Sequence, residues 1–309
     1  MKRILVALLA LVLTLSLCVP GMAQEEKPLV GILAPAATHG WVAGVTYHAQ
    51  NAAEELGLNY RVLSANNGDE MASQMDTLVS LGAKAIVIFP QWGGMEFATQ
   101  MAMEQGVAIF NFDMLIDVEG TYFLSGNNYD MGVQSAQYMA EKLEGQGKVV
   151  ILDVPTSGNV AADRKAGFLD TIAKIAPNIE IVGIYATQFT REAGLTDMEA
   201  ILAAQPQIDG VFSMDDETSI GALSAIKEAG RTDVRVITGG GGCQEYFTMM
   251  PESDINIASA LYSPEMIKQC VENAAKVLAG EEVEKQIILP TTIVDKANVA
   301  DYLDANSPY

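Results

Sequence analysis

Residues 29–57 have the sequence LVGILAPAATHGWVAGVTYHAQNAAEELG, and this stretch decides the fold class. Its first six residues are a short apolar run, which predicts a buried strand. From Trp41 to Leu56 the apolar residues recur with helical spacing, and Gly57 then ends the helix, as glycine commonly does. An apolar strand followed closely by an amphipathic helix is the repeating unit of a parallel sheet covered by helices.

The same unit recurs along the whole chain. The further strands predicted for the first half are 60–63, 85–89 and 107–110, and its helices are 71–81 and 95–105. The second half has predicted strands at 148–153, 179–185, 210–213, 234–238 and 255–260, and helices at 159–175, 191–204, 217–229 and 264–278. Each half thus holds the four or five strands of an open doubly wound sheet, and 309 residues exceed the usual size of one core. The sequence predicts an α/β protein with two doubly wound parallel-sheet lobes.

Residues 1–23 predict a cleavable export signal. They begin with two basic residues, continue with an apolar run and end with small residues before position 24. The apolar run is somewhat short for a membrane span. A lipid anchor at Cys18 is the minor alternative, because the bulky Leu17 stands where lipoprotein signals usually carry a small residue. We therefore expect a periplasmic or extracellular protein.

Composition excludes several classes of function. The chain has 39 acidic and 18 basic residues, a net charge of −21 that would repel nucleic acid. With two histidines and three cysteines no metal-ligand spacing exists, so we predict neither a metal nor another cofactor. An oxidising compartment permits a disulfide between Cys243 and Cys270, but these residues fall in different predicted lobes.

The loops after the strands carry the candidate binding residues, because doubly wound sheets bind ligands at the carboxyl ends of their strands. Trp41 and Trp92 lie in such loops and can stack on the apolar face of a sugar; the alternative is that each plugs a helix onto its sheet. Asp113 and Asp215 follow strands, and a carboxylate accepts hydrogen bonds from vicinal hydroxyls. The alternative for Asp215 and Asp216 is to cap the next helix; we assign Asp215 to the ligand.

The string TGGGGC at 238–243 follows a strand and raises two other possibilities. A glycine-rich loop can cradle a phosphate, but this one lacks the Lys-Ser/Thr of a P-loop, so a tight turn is the favoured interpretation. Cys243 at a helix start could be a nucleophile, although no histidine can be argued to be its partner. An exported α/β hydrolase using Cys243, or Asp113 and Asp215, is the rival from the enzyme class.

Several stretches, taken in order, carry a resemblance to a known family. They are Ala49-Gln50, Asn127-Asn128, RKAGF at 164–168, VFSMDDE at 211–217, GAL at 221–223 and KVLAGE at 276–281. From Leu29 to Pro290 the chain resembles the type I periplasmic binding proteins of sugar ABC transporters, the ribose-binding group in particular. The resemblance implies one lobe of residues 27–127 plus 263–290, another of 128–262 plus 291–309, and a ligand cleft between them.

The resemblance also implies roles for individual residues. His39 and Trp41 would contact the ligand from the first loop, Asp113 would accept hydroxyls and Arg164 would donate to them. Phe189 would form an aromatic sandwich with Trp41, while Asp215 and Tyr262 stand where ribose binders carry amide side chains. The complete predicted ligand-binding set is His39, Trp41, Trp92, Asp113, Asn127, Arg164, Phe189, Asp215 and Tyr262.

Three departures from the ribose-binding pattern change the predicted ligand. Phe89 replaces a polar contact, Met114 replaces an arginine and Gly240 replaces an aspartate. The site loses a cation and an acid and gains apolar bulk, which favours a different neutral sugar, a deoxy sugar or a polyol over ribose.

The sequence as a whole predicts a monomeric solute-binding protein, not an enzyme, that closes its lobes on a sugar or polyol and delivers it to an ABC transporter permease. The first alternative is a sensor that presents a bound sugar or furanosyl signal to a membrane chemoreceptor. A repressor effector domain shares this fold but would need a basic helix-turn-helix at its start, where this chain has an export signal.

Overall fold

The computed structural model describes residues 27–37 and 39–309. The predicted export signal, residues 1–23, and the minor lipid site at Cys18 lie outside the described residues. No helix among the residues described is long and apolar enough to span a membrane.

The first series of elements follows the predicted strand–helix alternation and adds the strand β5. It comprises β1 (Leu29–Pro35), α1 (Gly40–Glu55), β2 (Asn59–Ala65), α2 (Gly68–Ser80), β3 (Ala83–Ile88), α3 (Glu96–Glu104), β4 (Ala108–Phe112) and β5 (Tyr122–Gly126). The ends of α1 and α2 lie within a few residues of the predicted ones, because a glycine in left-handed conformation follows each helix, with φ of 59° at Gly57 and 86° at Gly82.

The second series begins with α4 (Asn128–Lys142). It continues with β6 (Gln146–Asp153), α5 (Asn159–Ile175), β7 (Asn178–Ala186), α6 (Arg191–Ala204), β8 (Gly210–Ser213), α7 (Asp216–Glu228), β9 (Val236–Gly240), α8 (Gln244–Met249), β10 (Asn256–Ala260), α9 (Ile267–Leu278), β11 (Gln286–Leu289) and β12 (Ile293–Asp295). Short 3₁₀ turns at Pro155–Ser157, Pro264–Met266 and Val299–Asp301 complete the described chain.

The described strands form two six-stranded sheets, one for each lobe. The first has the order β11-β5-β4-β3-β1-β2 and the second β12-β10-β9-β8-β6-β7. Pairing is parallel throughout except between β10 and β12. The predicted fold class of two doubly wound parallel-sheet lobes is confirmed.

The last two strands belong to different sheets, although only three residues separate them. Leu289 of β11 pairs with Gly126 in the first sheet, and Ile293 of β12 pairs with Ala260 in the second. The sequence pattern missed β5, β11 and β12, which are five, four and three residues long and contain at most three consecutive apolar residues, too few for a strand pattern to stand out.

Each lobe has its own core on both faces of its sheet. Cys270 is buried in the first core among residues such as Val271 and Ala274. Cys243 is buried in the second core beside Phe247. Within the described chain both cysteines are free, and their separate cores explain why no bridge joins them.

Two glycines let α4 and α5 approach each other backbone to backbone. A Cβ added at Gly132 would lie 2.0 Å from the carbonyl oxygen of Arg164, and one at Gly167 would lie 2.0 Å from that of Tyr129. No side chain fits at such distances. This close packing of α4 and α5 places Arg164 of α5 beside the start of α4, at the ligand site.

Candidate ligand site

A cavity of about 690 Å³ opens between the carboxyl ends of the two sheets, within the range of small-molecule sites. Its walls come from loops of both lobes and from the segments that connect them. The predicted residues that line it are His39, Trp41, Asp113, Asn127, Arg164, Phe189, Asp215 and Tyr262. The structure therefore brings together eight residues spread over more than 200 positions of sequence.

Trp92 is the predicted site residue that lies elsewhere. Its side chain packs, partly buried, against the apolar core of the first lobe that contains Met71 and Met75 of α2. A Cβ at Gly68, the first residue of α2, would lie 3.3 Å from the Cβ of Trp92. Trp92 was predicted either to stack on the ligand or to pack a helix onto its sheet, and its position in the structure is the second of these.

Trp41 is held firmly at the floor of the cavity. Its indole N–H donates to the backbone oxygen of Tyr262 at 2.7 Å. Its ring stacks on Phe112 with centroids 6.0 Å apart and meets the ring of Phe89 edge-on at 5.7 Å. We call Trp41, Phe89, Phe112 and Tyr262 the aromatic floor. Phe112 covers one face of the indole, so the sandwich of a sugar between Trp41 and Phe189 stays a prediction.

Asp113 and Tyr262 form the centre of a hydrogen-bond network. The Tyr262 hydroxyl donates to the Asp113 carboxylate and lies 3.0 Å from the Ser125 hydroxyl. The Asn128 amide also donates to the Tyr262 oxygen, at 3.4 Å. Burial raises the pKa of the Asp113 carboxyl, and the hydrogen bond from Tyr262 and the charge of Arg164 oppose that rise.

The backbone at Asp113 is unusual. This residue has a φ of 66°, in the left-handed region, and the N–H of Met114 donates to the carbonyl of Phe112 at 2.8 Å across it. A non-glycine residue pays conformational energy for this geometry, and such residues concentrate at binding and active sites. The tight turn aims the Asp113 carboxylate at Tyr262 and at the cavity.

Arg164 supplies the buried positive charge of the site. Its Nε donates to Asn128 at 2.8 Å and its Nη1 to the carbonyl of Met214 at 2.7 Å. The guanidinium carbon lies 4.9 Å from the centre of the Tyr262 ring and 5.8 Å from that of Phe189, distances at which a cation is attracted to an aromatic face. Among the described residues these bonds use two of its five N–H groups, which leaves donors for a ligand.

The adjacent carboxylates Asp215 and Asp216 have different roles. Asp215 caps α7, accepting from the backbone N–H groups of Glu217 at 3.1 Å and Thr218 at 3.3 Å, and it also lines the cavity. Burial raises its pKa to about 7. Asp216 points into the lobe and is fully buried, which raises its pKa to about 6. Asp215 therefore caps α7 and also forms part of the cavity wall.

The glycine-rich loop at 238–243 is tied down by Asp216. This carboxylate accepts from the N–H groups of Gly242 at 2.8 Å and Cys243 at 2.9 Å, and from the Ser259 hydroxyl at 2.9 Å. Those amides are therefore occupied by a protein carboxylate and not directed at a phosphate. Burial raises the pKa of the Cys243 thiol to about 12, so it stays protonated, which argues against a cysteine nucleophile.

His39 and Asn127 also line the cavity. Burial lowers the pKa of His39, opposed by the charge of Glu217, so the imidazole is neutral at physiological pH. The side-chain oxygen of Asn127 caps α4 by accepting from the backbone N–H of Asp130 at 2.9 Å. The backbone N–H of Asn127 donates to the backbone oxygen of Leu289 at 2.9 Å. Asn127 thus ties the start of α4 to the end of β11.

The sequence missed several lining residues. They include Gln91, Leu115, Ser125, Asn128, Asp163 and Tyr309. Asn128 could have been found from its place beside Asn127 in a stretch that carries the family resemblance. Tyr309 carries no such signal, because its neighbours in the cavity are remote in sequence.

Comparison with known proteins identifies the family. A profile of the periplasmic binding protein domain matches residues 30–282. The chain belongs to the periplasmic binding protein family. This confirms the family predicted from sequence, and its members are substrate-binding proteins rather than enzymes.

Individual relatives of this periplasmic binding protein are known. A xylitol-binding protein of Mycolicibacterium smegmatis is 29% identical over 243 residues, which are 76% of this chain and 68% of the relative. The ribose import binding protein of Escherichia coli is 26% identical over 300 residues, covering 96% and 99%. A solute-binding protein of an Actinobacillus succinogenes ABC transporter, solved with D-allose, has the same fold, with a TM-score of 0.82, 22% identity and coverage of 89% and 100%.

Proposed function

We propose that this periplasmic binding protein captures a small neutral sugar or polyol by lobe closure and delivers it to the permease of an ABC importer. Residues 1–23 would direct its export, and the periplasm would be its place of action. The observation that carries the proposal is the cavity between the lobes, in which carboxylates, a guanidinium and aromatic rings surround one space.

The polar groups of the cavity suit a ligand with several hydroxyls. Asp113 of the first lobe and Asp215 of the second offer acceptors, and Arg164 of the second lobe offers N–H donors. A hydroxyl donates and accepts at once, so it can satisfy both kinds of group in a dry cleft. The relatives named for xylitol and ribose bind such molecules.

The charges of the cavity favour a neutral ligand. Arg164 faces two carboxylates whose pKa values burial raises, and His39 is neutral because burial lowers its pKa. A strongly anionic or cationic ligand would leave one of these charges without compensation, which is costly in a buried site.

Apolar residues line another part of the cavity and narrow the ligand class. Met114, Leu115 and Phe89 lie there, and Trp41 presents an aromatic surface. These residues stabilise C–H groups rather than hydroxyls. A deoxy sugar, which has a C–H group in place of one hydroxyl, therefore fits this part of the cavity better than a sugar with a hydroxyl on every carbon.

Closure of the lobes supplies the mechanism. A ligand that contacts Asp113 of the first lobe and Arg164 of the second gains its full set of contacts only when the lobes are close together. Because a ligand shifts an equilibrium by its differential affinity, binding favours the closed state, which the permease would recognise.

A thermal-shift panel on the chain from Gln24 to Tyr309 tests the proposal. The panel contains D-ribose, other pentoses, deoxy sugars, xylitol and myo-inositol, with amino acids and organic acids as the opposing class. A ligand at 100 times its Kd stabilises the native state by about 2.7 kcal/mol, a shift of several degrees in Tm. The ligand should be recovered unchanged after incubation.

Two variants test whether the rise in Tm comes from binding in the cavity. Arg164→Met should abolish most of the shift, because the buried guanidinium is lost, whereas Arg61→Met changes an exposed arginine on the edge strand β2 and should not. A panel in which only acids or amino acids raise Tm would overturn the proposal. So would a sugar whose shift is the same in Arg164→Met and the parent.

A further inference from the structure

The last residues of the chain cross from one lobe to the other. We call residues 302–309 the C-terminal tail. It is fixed to the second lobe by Gln244 of α8, whose side chain donates to Tyr302 O at 3.1 Å and accepts from Asp304 N–H at 2.7 Å. The ring of Tyr302 meets that of Phe247 edge-on at 6.4 Å. The tail then reaches α1 of the first lobe, where the Tyr47 hydroxyl donates to Asn306 O at 3.4 Å.

The ring of Tyr309 lies between the lobes. On the first lobe it fits against Gly40 and Gly44, one turn apart on α1, where an added Cβ would lie 2.9 Å from Tyr309 Cδ2 and 3.2 Å from Tyr309 Cβ. On the second lobe it meets the glycine-rich loop, since a Cβ at Gly241 would lie 2.7 Å from the Tyr309 hydroxyl oxygen. The three glycines leave room for an aromatic ring, and Tyr309 is only 5% exposed.

Tyr309 is also part of the cavity wall. It lines the cavity together with Asp215 and Gly241 of the second lobe and Trp41 of the first. Burial raises the pKa of its hydroxyl, as do the nearby charges of Asp216 and Asp215, so the phenol is neutral and can donate a hydrogen bond.

We propose that Tyr309 is a lobe-bridging residue of the ligand site: the tail carries it from the second lobe into contact with α1, where its ring closes one wall of the cavity. An aromatic side chain buries about 150–250 Å². Part of that area is buried only when α1 and the Gly241 loop are close together, so the ring favours the closed arrangement before any ligand is bound. Its effect on affinity rests on the proposed function, whereas its effect on the lobes does not.

Distance measurements between the lobes, made without any sugar, test the bridging role. Nitroxide labels are placed on Phe97→Cys of α3 and Ile184→Cys of β7, two exposed positions on different lobes, while the native cysteines of the described chain are buried. In Tyr309→Ala the ratio of short to long inter-lobe distances should fall at least tenfold, which corresponds to about 1.4 kcal/mol. Tyr309→Phe keeps the ring and should stay near the parent.

Leu303→Ala is the matched control, since it shortens an exposed side chain, 49% accessible, in the same tail. Its distance distribution should equal that of the parent. If Tyr309→Ala does not fold by circular dichroism, Tyr309→Leu replaces it and should shift the distribution in the same direction. A distribution in the folded Ala or Leu variant that superimposes on the parent overturns the proposal.

Calorimetry tests whether Tyr309 forms part of the ligand site. With the panel sugar or polyol that raises Tm most, Tyr309→Ala should weaken Kd at least tenfold, and an unchanged Kd would remove Tyr309 from the ligand site. If no panel compound binds, the proposed function fails, and the distances between the labels still decide whether Tyr309 bridges the lobes.

Discussion

Replacing Asp215 with asparagine should make the stability of the protein less sensitive to pH between about 4 and 7. Asp215 is 8% exposed and caps α7 through the N–H groups of Glu217 and Thr218. Burial raises its pKa from 3.8 to about 7; the hydrogen bond from Thr218 opposes this rise and the charge of Asp216 adds to it. Asparagine caps helices as well as aspartate, so the substitution removes the titration and keeps the cap.

The sign of the effect follows from proton binding. Between pH 4 and pH 7 the folded protein holds a proton on Asp215 that the unfolded chain has released, so raising the pH favours unfolding. The stability that this group contributes is complete below about pH 4 and is lost as the pH rises through about 7. A difference of about three pKa units corresponds to a free energy of unfolding on the order of 4 kcal/mol.

Urea unfolding at pH 4.5, 6 and 8 measures this contribution. Asp215→Asn should be close to the parent at pH 4.5 and more stable than the parent at pH 8, by up to about 4 kcal/mol. Asp117→Asn, which changes an exposed carboxylate, should follow the parent at every pH. If the difference between Asp215→Asn and the parent is the same at pH 4.5 and pH 8, burial does not raise the pKa of Asp215 and the reasoning is refuted.

Three further substitutions test the site and its support. Trp41→Ala should lower the free energy of unfolding by about 3 kcal/mol in thermal or urea melts, because the indole packs into the aromatic floor; an unchanged Tm would contradict that packing. Asp113→Asn should weaken the best panel ligand by about one to two decades in calorimetry while circular dichroism stays unchanged, and parental affinity would remove Asp113 from the site. Gly132→Ala should lower Tm strongly, because the added Cβ would lie 2.0 Å from Arg164 O. Gly93→Ala is the control and should leave Tm unchanged, because its added Cβ would meet nothing within 4 Å in the described structure. Equal Tm values for the two variants would refute the close contact at Gly132.

The expectation for Trp41 shows how the structure changed a sequence inference. From sequence, Trp41 was predicted to stack on the ligand, with packing of a helix onto its sheet as the alternative. The structure shows the same ring bonded to Tyr262 O and stacked on Phe112, so its loss should affect both binding and stability. The division of the lobes at residues 127, 262 and 290 stays a prediction.

Residue type and local position could not separate Trp41 from Trp92, or Asp215 from Asp216. Both tryptophans follow buried strands, and both aspartates stand at a helix start. Which side chain enters the cleft depends on contacts between elements, such as Gly68 against Trp92, which no local pattern encodes.

The sequence by itself determined the alternation of strands and helices, the two-lobed α/β class and the loops that carry the polar residues. These follow from short-range physics: apolar runs bury as strands, and glycines such as Gly57 and Gly82 end helices. Only the tertiary structure decided that β11 and β12 join different sheets, that Asp216 holds the glycine-rich loop and that Tyr309 reaches α1. Each of these depends on contacts between residues that are distant in sequence, and no periodicity connects such residues.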